Sequence, residues 1–253
     1  MNKPKITVIT VCYNAEKCIE KTIKSVLEQD YNNIEYIIVD GKSSDSTMSI
    51  INRYKEQISH VISEKDKGIY DAMNKGIDLA SGEWVNFMNA GDTFANNKVL
   101  SAFCKMLDTS SCVVFGDEVM VEDNHQYLRK GVLYKNKFPD LGHQSTLIKA
   151  DLMKKYHYDT SYKISADFDF LYKLYKQGLS FQYINLPISC YDISGLSSCN
   201  KYRLYKEHCM IKGITPNIMH LLKYKIEDFM PIRMFHILHR TKMFIKSNLK
   251  SKS

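Results

Sequence analysis

A chain of 253 residues, 44% hydrophobic and 25% charged, is ordinary globular material, long enough for one large domain with an extension. Its net charge of +7 is unevenly spread: from Lys201 onward 12 Lys/Arg face 3 Asp/Glu, leaving 23 against 25, or −2, in the first 200 residues. That division excludes a nucleic-acid-binding core and directs the basic tail at an anionic partner.

The seven cysteines (Cys12, Cys18, Cys104, Cys112, Cys190, Cys199 and Cys209) form no CxxC pair and no metal-ligand spacing. Their odd number, with no signal-like segment after Met1, predicts reduced thiols in a cytoplasmic protein. No apolar run of about 18 residues offers a membrane span.

In chain order, Lys5 to Cys12 is a nearly continuous β-branched run, which predicts a strand covered on both faces. Asn14 is placed to cap the helix carrying Ile19, Ile23, Val26 and Leu27. A second buried strand over Ile34 to Val39 ends in Asp40-Gly41-Lys42-Ser43-Ser44-Asp45-Ser46, a segment suited to capping a helix or holding a ligand. A helix over Thr47 to Tyr54, a strand over His60 to Ile62, a helix over Ile69 to Ala80 and a strand over Glu83 to Met88 follow. Strand and helix alternating four times predicts right-handed parallel crossovers. No GxGxxG and no Walker loop follows the first strand, which excludes the usual dinucleotide and NTPase fingerprints.

Beyond Asp92 the reading becomes mixed. It predicts a helix over Lys98 to Leu107, a strand over Cys112 to Phe115 and a hairpin of Val119–Val121 with Tyr127–Leu133 around Asp123-Asn124. A strand over Thr146 to Ile148 and a helix over Ala166 to Gln177 complete it. Residues 1–200 read as one α/β domain and 201–253 as a basic helical tail. In that tail Met230, Met234, Ile237, Leu238, Phe244, Ile245 and Leu249 oppose Arg233, Arg240, Lys242, Lys246 and Lys250. Such an arc predicts an interfacial helix on the inner face of the cell membrane, held by anionic lipid.

Ligands of open α/β sheets bind beyond the carboxyl ends of the strands. Asp40, Glu64, Asp66, Lys67 and Asp92 all follow strands on that rim. Asp92, just past a buried strand in Asn89-Ala90-Gly91-Asp92, is placed to meet a ligand or a metal. Asp40 reads equally as the carboxylate of a helix-capping turn.

ITVCYN at the first strand, VDGKSSDST after the second, SEKDKGIYDAMNKGI and FMNAGD occur in that order. Together they resemble the family 2 glycosyltransferases of the GT-A fold, most closely bacterial members that build surface polysaccharides such as O-antigen or capsule. The likeness covers residues 5–195. It implies a Rossmann-like, mostly parallel sheet flanked by helices, and inverting transfer of a sugar from a nucleotide donor, UDP-linked, to a hydroxyl of a glycan or lipid-linked saccharide. It further implies a nucleotide-sugar pocket formed by Thr10, Tyr13, Asp40, Gly41, Asp45, Asp66, Lys67, Asp71, Asn74, Lys75, Asn89 and Gly91. Asp40 would meet the base, and Lys67 or Lys75 would offset diphosphate charge.

The same resemblance makes Asp92 the ligand of a Mg²⁺ or Mn²⁺ ion that stabilises the leaving diphosphate. Relatives carry an Asp-x-Asp cluster at this turn, where this chain has Asn89 and Gly91. ISADFD then supplies the base that takes the acceptor proton, Asp167, with Asp169 in reserve. His143 and Gln144 would meet the acceptor or the diphosphate, and Ser194–Ser198 would close over the donor. Two rival readings stay open. A nucleotidyltransferase lacks its glycine-rich triphosphate loop here, and a non-catalytic nucleotide-sugar-binding scaffold would account for the missing carboxylates.

Overall fold

The computed structural model describes residues 3–122, 125–192 and 200–229. Two compact units divide the chain, Met1–Ile193 and Ser194–Ser253. The first begins with β1 (Ile6–Cys12), α1 (Ile19–Leu27), β2 (Ile34–Asp40), α2 (Thr47–Asn52), β3 (His60–Ser63), α3 (Ile69–Leu79) and β4 (Trp84–Phe87). It continues with β5 (Thr93–Phe94), α4 (Val99–Met106), β6 (Val113–Glu122), β7 (His125–Arg129), β8 (Thr146–Lys149), α5 (Ala150–Tyr156), α6 (Ala166–Lys176) and β9 (Phe181–Asp192).

The strands form one sheet in the order β3-β2-β1-β4-β8-β6-β9-β5, with β7 on the side of β6. The pairings of β2 with β3, β1 with β2, and β1 with β4 are parallel. β8 runs against both β4 and β6, and β9 runs with β6. β3, β2, β1, β4, β6 and β9 therefore point one way, and β8, β7 and β5 the other. This is the expected α/β architecture, a mostly parallel sheet flanked by helices.

Alternation along the strands explains the two layers. Ile6, Val8, Tyr36 and Ile38 face α1, whose Ile19, Ile23 and Val26 recur at helical spacing and are buried. Ile9, Val11, Ile37 and Val39 face the other way, onto Met73 and Ile77 of α3 and onto Phe170, Leu171 and Leu174 of α6. Each such fully buried side chain contributes about 1.5–3 kcal/mol.

Several expectations change. α1 begins at Ile19 with Cys18 before it, and Asn14, at a φ of 47°, instead accepts a hydrogen bond from Ser44 N at 2.9 Å. β6 is one strand of 10 residues, not two, and its partner β7 ends at Arg129. The turn residues Asp123 and Asn124 lie outside the described residues. β5, α5 and β9 are additions. β9 is disguised by Pro187, which cannot donate to a ladder. It is tolerated because Asp117 pairs with Pro187 at a break in the β6–β9 register between Phe115 and Glu118.

The second unit contains α7 (Lys201–Lys212) and α8 (Ile218–Phe229), whose ends are tied by Asp228 accepting from the backbone N–H groups of Lys201 and Tyr202. The anticipated helix over 230–249 and the loop Ser194–Ser198 lie outside the described residues. Among the described residues no helix is long and apolar enough to cross a membrane, and Cys12, Cys18, Cys104, Cys112, Cys190 and Cys209 are free thiols.

Candidate active site

At the carboxyl rim, the turn after β2 is built around Asp40, which is fully buried. Its carboxylate accepts from Ser43 N at 3.0 Å, from the hydroxyls of Ser43 and Ser63, the latter at 2.6 Å, and from the Cys12 thiol at 3.7 Å. Burial and the neighbouring Asp40 charge push the Cys12 thiol up, so it stays a neutral donor. Asp40 thus holds the turn from inside and presents no carboxylate oxygen to a base. Thr10 is also fully buried, its hydroxyl donating to Met88 O at 2.7 Å. Asp45 accepts from Thr47 N at 3.0 Å and from Glu16 N at 3.1 Å, fixing the start of α2.

A second carboxylate on this rim, Asp66, is mostly covered, its side chain 11% exposed. Its Oδ2 lies 2.8 Å from where a Cβ on Gly41 would stand, and the Tyr13 ring lies 3.3 Å from the same point, so the glycine lets both pack close to the backbone. Tyr13 itself is 65% exposed and offers an accessible ring beside them. Lys75 is not a free cation here. Its ammonium pairs with Asp66 at 2.7 Å, Glu64 at 2.9 Å and Asp71 at 3.6 Å. Burial opposes the charge, but Asp66 and Glu64 outweigh it and hold the lysine pKa up. Lys67 is exposed, and its backbone N–H donates to Asp71 at 3.0 Å, closing the first turn of α3. Asn74 binds the backbone of Tyr158 on both sides, at 2.9 and 2.8 Å.

After β4, Thr22 organises the next turn: its hydroxyl donates to Asp92 O at 2.7 Å and accepts from Gly91 N at 3.0 Å. Gly91 has a φ of 105°, which an L side chain rarely adopts, so this turn geometry disfavours the second carboxylate that the resemblance leads us to expect here. Asp92 is buried, and its Oδ2 accepts from Gln144 Nε2 at 3.1 Å. In the same turn Asn89 Oδ1 is buried with no hydrogen-bond partner. Among the described residues no group of three or more His, Cys, Asp or Glu side chains converges to hold a metal. One carboxylate and one orphaned amide oxygen are hard donors of the kind Mg²⁺ and Mn²⁺ take. They fit an ion whose remaining positions are filled by phosphate oxygens, and are too few for a tight site of their own.

The turn 142–144 links this carboxylate to a second one. His143 stacks on Phe87 with ring centroids 5.3 Å apart, and its Nε2 lies 2.8 Å from the Tyr158 hydroxyl. Tyr158 packs on Tyr70 at 5.5 Å, and the Tyr70 hydroxyl lies 2.9 Å from Asp167 Oδ1 and 2.6 Å from Ile164 O. Burial, reinforced by the Asp167 charge, raises both phenols, so they remain protonated donors. Burial lowers the His143 pKa, with Asp167 pulling partly the other way. The neighbouring Asp169 is buried in an ion pair with Lys173 at 2.6 Å, which leaves Asp167 as the half-buried carboxylate of this pair.

Tyr70 lies inside GIYDAMNKG, the segment that the resemblance assigns to the nucleotide pocket, and the structure sets it against Asp167 instead. Thr22 and Tyr158 carry no signal in the sequence. They reach the site through contacts 70 residues and 15 residues away in the chain, which no local pattern shows.

The model of the family described as Glycosyl transferase family 2 matches residues 7–177. A PGL/p-HBAD biosynthesis glycosyltransferase of Mycobacterium bovis is 27% identical over 207 residues, covering 78% of this chain and 81% of the relative. TuaG, a Bacillus subtilis protein named as a teichuronic acid biosynthesis glycosyltransferase, is 36% identical over 125 residues, covering 48% and 50%. Among solved structures, S. aureus TarS in complex with UDP superposes with a TM-score of 0.66 at 19% identity. The match covers 82% of this chain and 64% of that one, so this chain spans just under two thirds of that structure. The likeness extends to the GT-A fold. With the family model covering well over half its length, the chain belongs to glycosyl transferase family 2 and is a glycosyltransferase.

Proposed function

We propose that this enzyme moves a sugar, with inversion, from a UDP-linked donor to a hydroxyl of a glycan or lipid-linked saccharide in surface-polysaccharide assembly. The reading rests on one observation above all. The turn Gly142-His143-Gln144 touches Asp92 at one end, at 3.1 Å, and at the other meets Tyr158, which packs on the Tyr70 that holds Asp167. Two carboxylates with separate surroundings suit the two needs of a single displacement, a base for the acceptor and a support for the leaving group.

In this mechanism Asp167 accepts the proton of the acceptor hydroxyl as its oxygen bonds to the anomeric carbon. The bond from that carbon to the diphosphate oxygen breaks, and its electron pair leaves with UDP. Tyr70 orients the base by donating to Oδ1, and the Ile164 carbonyl offers the phenol a second acceptor once the carboxylate carries a proton. Tyr13, Gly41 and Asp66 form the slot for the base, Asp66 accepting an N–H, while Asp40 shapes the slot from beneath. Lys67 is the exposed cation beside it that can approach the diphosphate. A Mg²⁺ or Mn²⁺ ion, held by Asp92 and Asn89, would lend Lewis-acid stabilisation to the departing diphosphate. Gln144 keeps Asp92 in place.

The UDP complex of TarS supports uridine as the base, and the teichuronic acid name of TuaG supports a surface-polymer acceptor. The basic tail supports attachment to the membrane face where lipid-linked acceptors reside. The test is a screen of UDP-sugars with Mn²⁺ or Mg²⁺ and candidate acceptors, scored by UDP release and by the anomeric configuration of the product. Release with inversion is expected. A retained configuration, or UDP binding without release from any donor, overturns the reading.

A further inference from the structure

Residues 125–137, HQYLRKGVLYKNK, comprise β7 and the segment that leaves it. Five large apolar side chains stand in the open there: Tyr127, Leu128, Val132, Leu133 and Tyr134 are 37–48% exposed. The other exposed large apolar side chains described in the first unit, Tyr13 and Met106, stand singly. The same segment carries Arg129, Lys130, Lys135 and Lys137 and no Asp or Glu. Arg129 is tied to Glu118, at 2.7 Å, and to Asp140. Lys130, Lys135 and Lys137 are exposed and make no ion pair among the described residues. Among the described residues β7 bonds only to β6, which leaves its outer edge without a strand partner there.

Lysines commonly guard such an edge against pairing with another chain. Edge protection accounts for the cations at the end of the strand, Arg129 and Lys130. It does not account for Val132, Leu133 and Tyr134 standing exposed past the strand and followed by Lys135 and Lys137. Exposed apolar side chains concentrated in one segment and rimmed by polar groups mark an interaction site. Aliphatic and tyrosine side chains flanked by lysines match the chemistry of a bilayer boundary, where rings and aliphatic groups enter the headgroup layer and ammonium groups meet phosphate.

We propose that residues 127–137 form a membrane-docking surface within the catalytic unit, which seats on anionic phospholipid independently of the basic tail. The net charge chooses this occupant. A second copy of the chain would bring two cationic patches face to face. Leu128, Val132 and Leu133 offer no stacking face to a nucleic acid. From this surface the chain passes through the Val132–Asp140 bridge into the Gly142-His143-Gln144 turn, so the docking segment adjoins in sequence the turn that touches Asp92 and leads through Tyr158 and Tyr70 to Asp167. The inference does not depend on the identity of the donor.

The experiment uses the full chain and co-sedimentation with phosphatidylcholine vesicles, with and without phosphatidylglycerol. Two variants are compared with the wild type: Lys130→Gln/Lys135→Gln/Lys137→Gln, and Leu133→Ser/Tyr134→Ser. Wild type should bind the anionic vesicles more tightly. The charge variant should lose on the order of a hundredfold in partitioning, and the apolar variant about tenfold. Both should keep wild-type circular dichroism and thermal unfolding, and if one unfolds the other decides. Wild-type binding by both folded variants overturns the proposal, as does equal binding of wild type to neutral and anionic vesicles. A dimer of the wild type abolished by the same substitutions, or tighter binding to single-stranded RNA than to anionic vesicles, assigns the surface to another occupant and also overturns it.

Discussion

Asp167 and Asp169 are two residues apart and similar in sequence, yet their surroundings assign them different work. Asp169 is neutralised by Lys173 inside the fold, while Asp167 keeps one oxygen on the Tyr70 phenol. Asp167→Asn should therefore lower kcat by about 10²–10⁴, the usual contribution of a positioned base, while UDP affinity by calorimetry stays near wild type. Loss of both together would make Asp167 structural. Asp92→Ala should weaken UDP binding in the presence of Mn²⁺ and leave metal-free binding little changed, since Asp92 and Asn89 alone make a poor cage. An unchanged response of UDP affinity to metal would remove Asp92 from that role. At this scale the sequence marks turns at the ends of strands but not which atoms face outward. Asp40 and Lys75 carry suitable chemistry, and the fold spends it inside the molecule, on the 40–46 turn and on three carboxylates.

At the level of elements, the parallel half was legible because β1, β2 and β4 are buried on both faces and α1 and α3 carry a 3.6-residue apolar stripe. The second half was less so, because β9 contains a proline whose ladder position is vacated by a register break in another strand. Gly116 sits at that break. A Cβ there would lie 2.3 Å from Leu186 O and 2.9 Å from the Ile188 side chain, and backbone does not give way as a flexible side chain does. Gly116→Ala should thus cost about 2–4 kcal/mol of stability, measured by urea unfolding, because it levers apart β6 and β9. A change within experimental error would mean the two strands are less closely coupled than their register indicates.

For the whole molecule, two groups of the first unit make its stability acid-sensitive in separate pH ranges, Glu35 and His143. Glu35 is buried on β2, and although burial opposes its charge, Ser81, Thr7 and Lys5 hold its pKa at about 2, below the ordinary 4.5. A depressed carboxylate contributes stability that is complete above the unfolded value and is lost as pH falls from about 4.5 toward 2. His143, lowered below 6.5, acts with the same sign at higher pH: the unfolded chain takes up a proton there that the native ring resists. Stability should decline in two steps on acidification, the first below about 6.5 and the second below about 4.5. Glu35→Gln should shrink the lower step and cost about 2 kcal/mol at neutral pH, since its donors lose a charged acceptor. A variant with the wild-type acid profile would exclude Glu35 as the source.

What the sequence determined by itself is the architecture of the parallel half and the identity of the family, since both are written in local order: strand, motif, helix, repeated. Which carboxylates are sealed inside the fold and which stay accessible was decided only in three dimensions. Burial and hydrogen-bond satisfaction depend on partners far along the chain, as Thr22 is from Asp92 and Tyr70 from Asp167. The turn Asn89-Ala90-Gly91-Asp92 shows both halves of this. Its place beyond a buried strand was readable, but the positive φ that suits Gly91 to its position is seen only in the folded chain.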